Sequence, residues 1–307
     1  MENSDAGLKE RIMSLKKSKN AVILAHNYQL GETQDIADLV GDSLELSQRV
    51  AKTDANVIVF CGVHFMAETA SILCPDKVVL LPDIHAGCPM SNMITAKRLR
   101  EKKKAHPGAV VVCYVNTPAA VKAESDVCCT SANAVRIVEN LPPNKEIMFV
   151  PDQYLGDYVT TQTGREMILW PGFCPTHVRI QPKDITRLKA EYPQAKVVVH
   201  PECRPDVVAL GDAVLSTGGI IRFAKETEVE EVIVGTEIGI IHRLKKENPG
   251  KKFIPASEQA VCPRMKLITL ETILWSLENM THQVKVPENI RLKANVAVDK
   301  MLEMGRS

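Results

Sequence analysis

The run AVILAHNY, from Ala21 to Tyr28, decides the fold because it returns twice, as AVVVCYVN from Ala109 to Asn116 and as AKVVVHPE from Ala195 to Glu202. Each is a short β-branched stretch that ends in polar residues. Aligning His26, Tyr114 and His200 gives steps of 88 and 86 residues. Ser43, Ser131 and Thr217 keep those steps, each opening a stretch of helical character. A second apolar run follows in every unit: VIVFCG (Val57 to Gly62), EIMFVP (Glu146 to Pro151) and EVIVGT (Glu231 to Thr236). After another helix, a short strand (VVLLP, MILWP or KFIPA) leads to CPM at Cys88, CPT at Cys174 and CPR at Cys262. A self-similarity of this length makes the module, not the chain, the unit of folding.

Outward from these runs, an amphipathic segment precedes each first strand: LKERIMSLKKSK from Leu8, TAKRLREKKKAH from Thr95 and KDITRLKAEYPQ from Lys183. The unit reads helix, strand, helix or turn, strand, helix, strand. Its strands are the continuous apolar kind that parallel sheets bury on both faces. Right-handed crossovers then place helices on both sides, and polar strand ends gather at the carboxyl edge where such sheets bind ligands. The expected architecture is α/β: three homologous three-layer αβα modules with parallel sheets, set around a pseudo-threefold axis. The expected boundaries are 1–92, 93–180 and 181–307, the last including a C-terminal helical tail with the segment TLETILWSLENM.

Composition narrows the function. The 307 residues carry 38 basic and 37 acidic side chains, so no global field draws the chain to nucleic acid or to an anionic membrane. Aromatics at 4% give little material for a stacking platform on single strands. The N-terminal stretch lacks a secretory apolar core and no apolar run reaches the roughly 20 residues of a membrane span, so a cytoplasmic location is expected. There is no GxxxxGK[ST] or GxGxxG to support nucleotide binding.

Nine cysteines without an export signal point to buried, reactive or metal-binding thiols instead of a disulfide framework. A single buried cysteine is ordinary core. Cys88, Cys174 and Cys262 are different because they stand in register, each directly before a proline, one per module. Packing about a pseudo-threefold axis brings them together as three thiolates for a metal centre. Zinc with Cys₃His and an iron–sulfur cluster both use such ligands. No CxxC hairpin of the structural zinc type exists, and three ligands from three modules suit a cubane with one open iron. Cys74-Pro75 has no counterpart in the other units and reads as structural, as do Cys61 and Cys113 within strands. The vicinal Cys128-Cys129 pair reads as packing before redox chemistry.

The polar strand ends supply the remaining candidates. His26, Asn27 and Tyr28, then Tyr114 and Asn116, then His200 and Glu202 fall at one centre by the repeat. His, Tyr and Glu can exchange protons, while Asn and hydroxyls orient polar ligand atoms. Ser43, Ser131 and Thr217 put a hydroxyl beside free N–H groups at helix starts, a seat for carboxylate or phosphate. Service as N-caps alone is the plainer reading of each.

Taken together, ILAHNYQ with DIADLVGDS, YVNT with TSANAV, VVVHPEC, STGG, VGTEIG and AVCPRM resemble the quinolinate synthase family, iron–sulfur enzymes of de novo NAD biosynthesis, over residues 8 to 304. The resemblance implies a [4Fe-4S] cluster on Cys88, Cys174 and Cys262. It implies condensation of iminosuccinate (iminoaspartate) with dihydroxyacetone phosphate, releasing phosphate and water, and functional coupling to an iminoaspartate-producing enzyme. It places His26, Ser43, Tyr114, Val115, Asn116, Ser131, His200, Pro201, Glu202 and Thr217 on the substrate, Val115 and Pro201 through backbone or wall contact. It gives proton transfer to Tyr28, His177 and Glu202, with His26 and His200 as further catalytic candidates. No cysteine follows Cys262, so the C-terminal thiol switching of longer members is not expected. A non-catalytic iron–sulfur or zinc sensor and an aconitase-like dehydratase of another di-acid are the alternatives.

Overall fold

Apolar runs flanked by helices assemble here into three separate four-stranded sheets in a computed structural model that describes residues 2–304. The first contains β1 (Ala21–His26), β2 (Leu39–Gly41), β3 (Val57–Cys61) and β4 (Val78–Leu80). The second contains β5 (Val110–Tyr114), β6 (Val127–Cys129), β7 (Ile147–Val150) and β8 (Ile168–Leu169). The third contains β9 (Lys196–Val199), β10 (Ala213–Val214), β11 (Glu231–Gly235) and β12 (Lys252–Pro255). All pairings are parallel, and the orders β2-β1-β3-β4, β6-β5-β7-β8 and β10-β9-β11-β12 are the same. The order reverses beside the first strand of each sheet, which opens a crevice at its carboxyl end. The three modules expected from the repeat are therefore real structural equivalents.

Each module has four strands where the sequence pattern gives three. The extra strands β2, β6 and β10 are only two or three residues long, too short for a periodic signal. An aspartate immediately precedes each of them. Asp38 accepts the Ile23 N–H at 2.8 Å through its carboxylate and donates its own N–H to Ile23 O at 2.8 Å. Asp126 does the same to Val111 at 2.8 and 3.1 Å, and Asp212 to Val197 at 2.8 and 2.8 Å. The carboxylate takes the place of a ladder partner where the sheet edge begins.

Strand alternation decides where the core lies. In the third sheet, Val198, Val232 and Val234 enter a core that is continuous with the first two sheets. Val197, Val199 and Ile233 face the other way into a smaller core with Ile185 and Leu188 of the helix Pro182–Glu191. The tail differs from expectation. Leu270–Asn279 is helical as read, packing on the first helix Glu2–Ser18, but a second helix, Glu288–Met304, follows it. That helix buries Ala294, Ala297, Val298, Met301 and Leu302 against β6 and the helices Ala119–Lys122 and His64–Leu73, so it seals the first two modules and not the third. Among the described residues no helix is long and apolar enough to cross a membrane.

The aspartate clamps make a quantitative prediction. Asp126→Ala leaves the Val111 N–H without its charged acceptor and should cost about 1–2 kcal/mol at this partly exposed edge. Asp126→Asn, which keeps an acceptor oxygen, should cost less. Urea unfolding midpoints at constant slope check this, and an unchanged midpoint for the alanine variant would remove the clamp from the stability account.

Candidate active site and metal centre

The first strands β1, β5 and β9 end at His26, Tyr114 and Val199, so the polar residues that follow face a common centre. A cavity of about 290 Å³ lies there. Its walls include His26, Tyr28, Ser43, Tyr114, Asn116, Ser131, His177, His200, Glu202 and Thr217, together with Cys88, Cys174 and Cys262. Thirteen of the sixteen residues named above from sequence and resemblance thus meet at one place, while Asn27 lies behind it, donating to Thr217 Oγ1. Val115 and Pro201 do not face it. Val115 is tied into the sheet, donating its N–H to Cys129 O at 2.9 Å and accepting Lys122 Nζ at 2.7 Å. Lys122 is fully buried and also donates to Thr117 O at 2.5 Å, which pins the loop carrying Tyr114 and Asn116.

Each of the three cysteines heads a 3₁₀ turn: Ser91–Met93, His177–Arg179 and Met265–Leu267. The proline after the cysteine has no N–H to offer. The next two residues turn their N–H groups to the sulfur: Met90 and Ser91 toward Cys88, Thr176 and His177 toward Cys174, Arg264 and Met265 toward Cys262. All three residues are part-exposed and free of disulfides, whereas the six other cysteines are buried. Cys74 donates to Val50 O and Cys203 to Gly235 O, while Cys128 and Cys129 are interior positions of β6, which gives all four packing roles.

The donor set fits a thiolate-held metal group. Burial pushes the Cys88 thiol up to about 12 and raises Cys174 and Cys262 as well, with neighbouring sulfurs and Glu202 adding to the first two. Such thiols need a cation to become thiolates, and a coordinated metal supplies it. Two N–H donors per sulfur then match the acceptor capacity of a bound thiolate. Cys174, His177 and Glu202 also bring donor atoms within 4.8 Å of one another. His177 is occupied elsewhere, however. Its Nε2 lies 2.8 Å from Thr236 Oγ1 and 3.3 Å from the Tyr28 hydroxyl, and its Nδ1 faces Glu202 Oε2 at 2.8 Å, close but out of line for a hydrogen bond.

Around Glu202 the side chains form one connected system. Asn116 Nδ2 donates to its Oε1 at 3.3 Å, and His200 lies beside it with its ring stacked on His177 at 4.7 Å. Burial alone would raise the Glu202 carboxyl, but His177, His200 and Tyr114 hold it well below the usual carboxylate range. Burial drives His26 and His200 down to about 3, which makes both neutral donors or acceptors. Burial and the Glu202 charge push the Tyr28 and Tyr114 phenols up, so both keep their protons. Tyr28 shares a 2.6 Å hydrogen bond with Thr236.

The three hydroxyl residues are not the helix caps. Asp42 caps the helix that starts at Ser43, and Ser216 caps the one that starts at Thr217. Ser131 lies in the turn before Ala134–Glu139, where Asn133 Oδ1 accepts from the Thr130 N–H at 2.7 Å and from the Thr130 hydroxyl at 3.2 Å. Capping by a neighbour leaves Ser43 and Thr217 turned to the cavity, and Ser131 lines it as well, with Ser131 Oγ 3.2 Å from His200 Nε2 and Thr217 Oγ1 accepting Asn27 Nδ2 at 2.9 Å.

Two residues escaped the sequence reading, Thr236 and Glu237, although both follow the carboxyl end of β11 where the repeat already directs attention. Glu237 is fully buried. Its Oε1 accepts the Cys262 N–H at 3.0 Å and meets Lys266 Nζ at 2.9 Å, its Oε2 accepts the Gly239 N–H at 2.7 Å, and Lys266 donates on to Tyr28 O at 2.5 Å. A side chain at Gly239 would collide with Lys266, Tyr28 O and Glu237, so only glycine lets these segments meet. Glu237 is a positioning residue that ties the Cys262 loop to the Tyr28 backbone.

Glu237→Gln should therefore loosen one cysteine loop selectively. Losing a charge-assisted bond worth about 1.5–3 kcal/mol favours local opening by roughly ten- to a hundredfold. In the metal-free protein, iodoacetamide labelling followed by mass spectrometry should show Cys262 accelerated in that range while Cys88 and Cys174 keep their rates. Equal acceleration at all three cysteines would contradict the local role.

Comparison with known proteins agrees with this geometry over nearly the whole chain. The profile of the family described as Quinolinate synthetase A protein matches residues 10–303. A protein named quinolinate synthase from Dehalococcoides mccartyi (strain CBDB1) is 61% identical over 297 residues, 97% of this chain and 98% of its own length. One of the same name from Geotalea uraniireducens is 56% identical over 97% of this chain and 98% of its own, and one from Methanosarcina barkeri is 54% identical over 97% of each. With this coverage, the chain belongs to the quinolinate synthetase A family.

Proposed function

We propose that this protein condenses iminosuccinate with dihydroxyacetone phosphate to form quinolinate, phosphate and water, in the cytoplasm, with a [4Fe-4S] cluster on Cys88, Cys174 and Cys262. The observation that carries the reading is the convergence of three in-register cysteines with an ionised glutamate, neutral histidines and protonated tyrosines in one cavity. When bound, such a cluster supplies a Lewis-acidic iron that polarises an oxygen of the substrate. The side chains do the rest. Ser43, Ser131 and Thr217 hold the carboxylates of iminosuccinate with charge-assisted hydrogen bonds. Asn116 and His200 orient the di-acid, while His26 donates or accepts as a neutral ring. Glu202, held ionised, takes protons as the ring closes, with His177 facing it at 2.8 Å. Tyr28 delivers or accepts a proton at its hydroxyl and is kept in place by Thr236. Val115 and Pro201 support the strand ends from behind. A passive sensor gives no reason for this acid–base set. An aconitase-like dehydratase shares the chemistry and is separated by product.

Anaerobic purification with iron and sulfide analysis, then a quinolinate assay, tests the proposal as a whole. Cys88→Ser, Cys174→Ser and Cys262→Ser should each lose most of the iron, while Cys74→Ser keeps it. A fully loaded Cys174→Ser protein would overturn the ligand set.

A second expectation concerns proton transfer. Tyr28→Phe and Glu202→Gln should keep the iron and still bind substrate, yet lose at least about a hundredfold in single-turnover rate, the low end for a positioned acid–base group. Parental rates in both would end their assignment to the chemistry.

A further inference from the structure

Arg179 and Arg264 are the lysine or arginine side chains that line the cavity, and the chemistry above gives neither a task. Arg179 ends the turn after Cys174 and donates from Nη1 to Gln259 O at 3.2 Å. Arg264 stands two residues after Cys262 and donates from Nη1 to His85 O at 3.3 Å. Gln259 and His85 each lie three residues before the next cysteine, so the arginines bridge successive cysteine loops in the same sense. Both are exposed, and neither has an acidic partner among the described residues. A guanidinium has five N–H donors. One carbonyl bond apiece steers each group without using up its fork.

The interior of the cavity has the opposite character. Its acidic side chains are Asp42, Glu202 and Glu237, of which Glu237 is already matched by Lys266, and Arg179 and Arg264 are its only lining lysines or arginines among the described residues. A phosphate dianion brought beside Glu202 would face a like charge in a dry site. The mouth, where the arginines stand, has positive charge to spare, and guanidinium forks match phosphate geometry.

We propose that Arg179 and Arg264 form a phosphate subsite at the cavity mouth, which holds the phosphate monoester of the three-carbon co-substrate while its carbon end reaches toward Glu202 and Tyr28. The identity of the co-substrate rests on the function proposed above; the recognition of a phosphate monoester does not. The subsite also sorts the two substrates, the di-acid by hydroxyls inside and the phosphoester by arginines outside.

The test uses the anaerobically prepared holoenzyme with Arg179→Gln, Arg264→Gln and the double variant. Titration calorimetry with inorganic phosphate and with dihydroxyacetone phosphate alone reads the subsite without turnover. Each single variant should bind dihydroxyacetone phosphate roughly ten- to a hundredfold more weakly, as expected for loss of a charge-assisted contact. KM for iminosuccinate and the iron content should stay unchanged, and Arg→Lys should restore part of the binding. Unchanged binding of both phosphate probes in the double variant overturns the subsite. So does loss of iron with intact phosphate binding, which would reduce the arginines to clasps between cysteine loops. A wild-type enzyme that makes no quinolinate yet loses phosphate affinity on substitution would refute the proposed reaction and keep the subsite.

Discussion

Glu202 is an ionised carboxylate with 3% of its surface exposed, and the centre of the molecule is arranged around that fact. A buried charge without partners costs several kcal/mol, so the side chains that face it must be supplied from wherever the chain can bring them. The second module supplies Asn116 and Tyr114 from the end of β5 and His177 from the turn after Cys174; the third supplies His200. The first module closes the system through Tyr28, which meets His177 and Thr236. One charge thereby couples all three sheets. The same charge adds to burial in raising Tyr28 and Tyr114, which keeps the protons on both phenols, and it raises Cys88 and Cys174, whose thiols therefore need a bound cation to ionise.

Around this centre the modules repeat solutions to local problems. The aspartate at the edge strand, the proline after each cysteine, the paired N–H groups at the sulfur and the polar end of each first strand all recur. Repetition of a backbone device gives three nearly equivalent loops, and departure from it gives function. Tyr114 stands where the other modules have histidine. Glu237 and Lys266 brace only the Cys262 loop, and Arg179 and Arg264 have no third counterpart. A cavity with threefold backbone symmetry and unequal side chains can present different chemistry to different parts of a ligand.

Sequence reading succeeded where a physical signal recurred in register. Continuous β-branched runs declare parallel strands, and a cysteine at the same phase of three modules is hard to explain by packing. It failed where the signal was too short or lacked a template. The strands β2, β6 and β10 have no periodicity to detect, although Asp38, Asp126 and Asp212 keep the module spacing and would have revealed them. The helix Glu288–Met304 carries Ala294, Ala297, Val298 and Met301 at helical spacing, but it follows the third repeat and has no counterpart in the other modules to draw attention to it. Thr236 closes an apolar run that reads only as a strand, and Glu237 follows it.

The sequence by itself determined the three modules, their α/β class and the three cysteines, because hydrophobic periodicity and register are properties of the chain taken locally and repeated. Tertiary structure alone decided which hydroxyls are free and which act as caps. Asp42 and Ser216 take the capping N–H groups, and that choice depends on helix starts resolved to a single residue. It also decided the states of Glu202, His26, His200, Tyr28 and Tyr114 at the centre. Protonation there follows from burial and from distances between residues up to 240 positions apart, as for His26 and Lys266, and neither quantity exists until the three sheets have closed on one another.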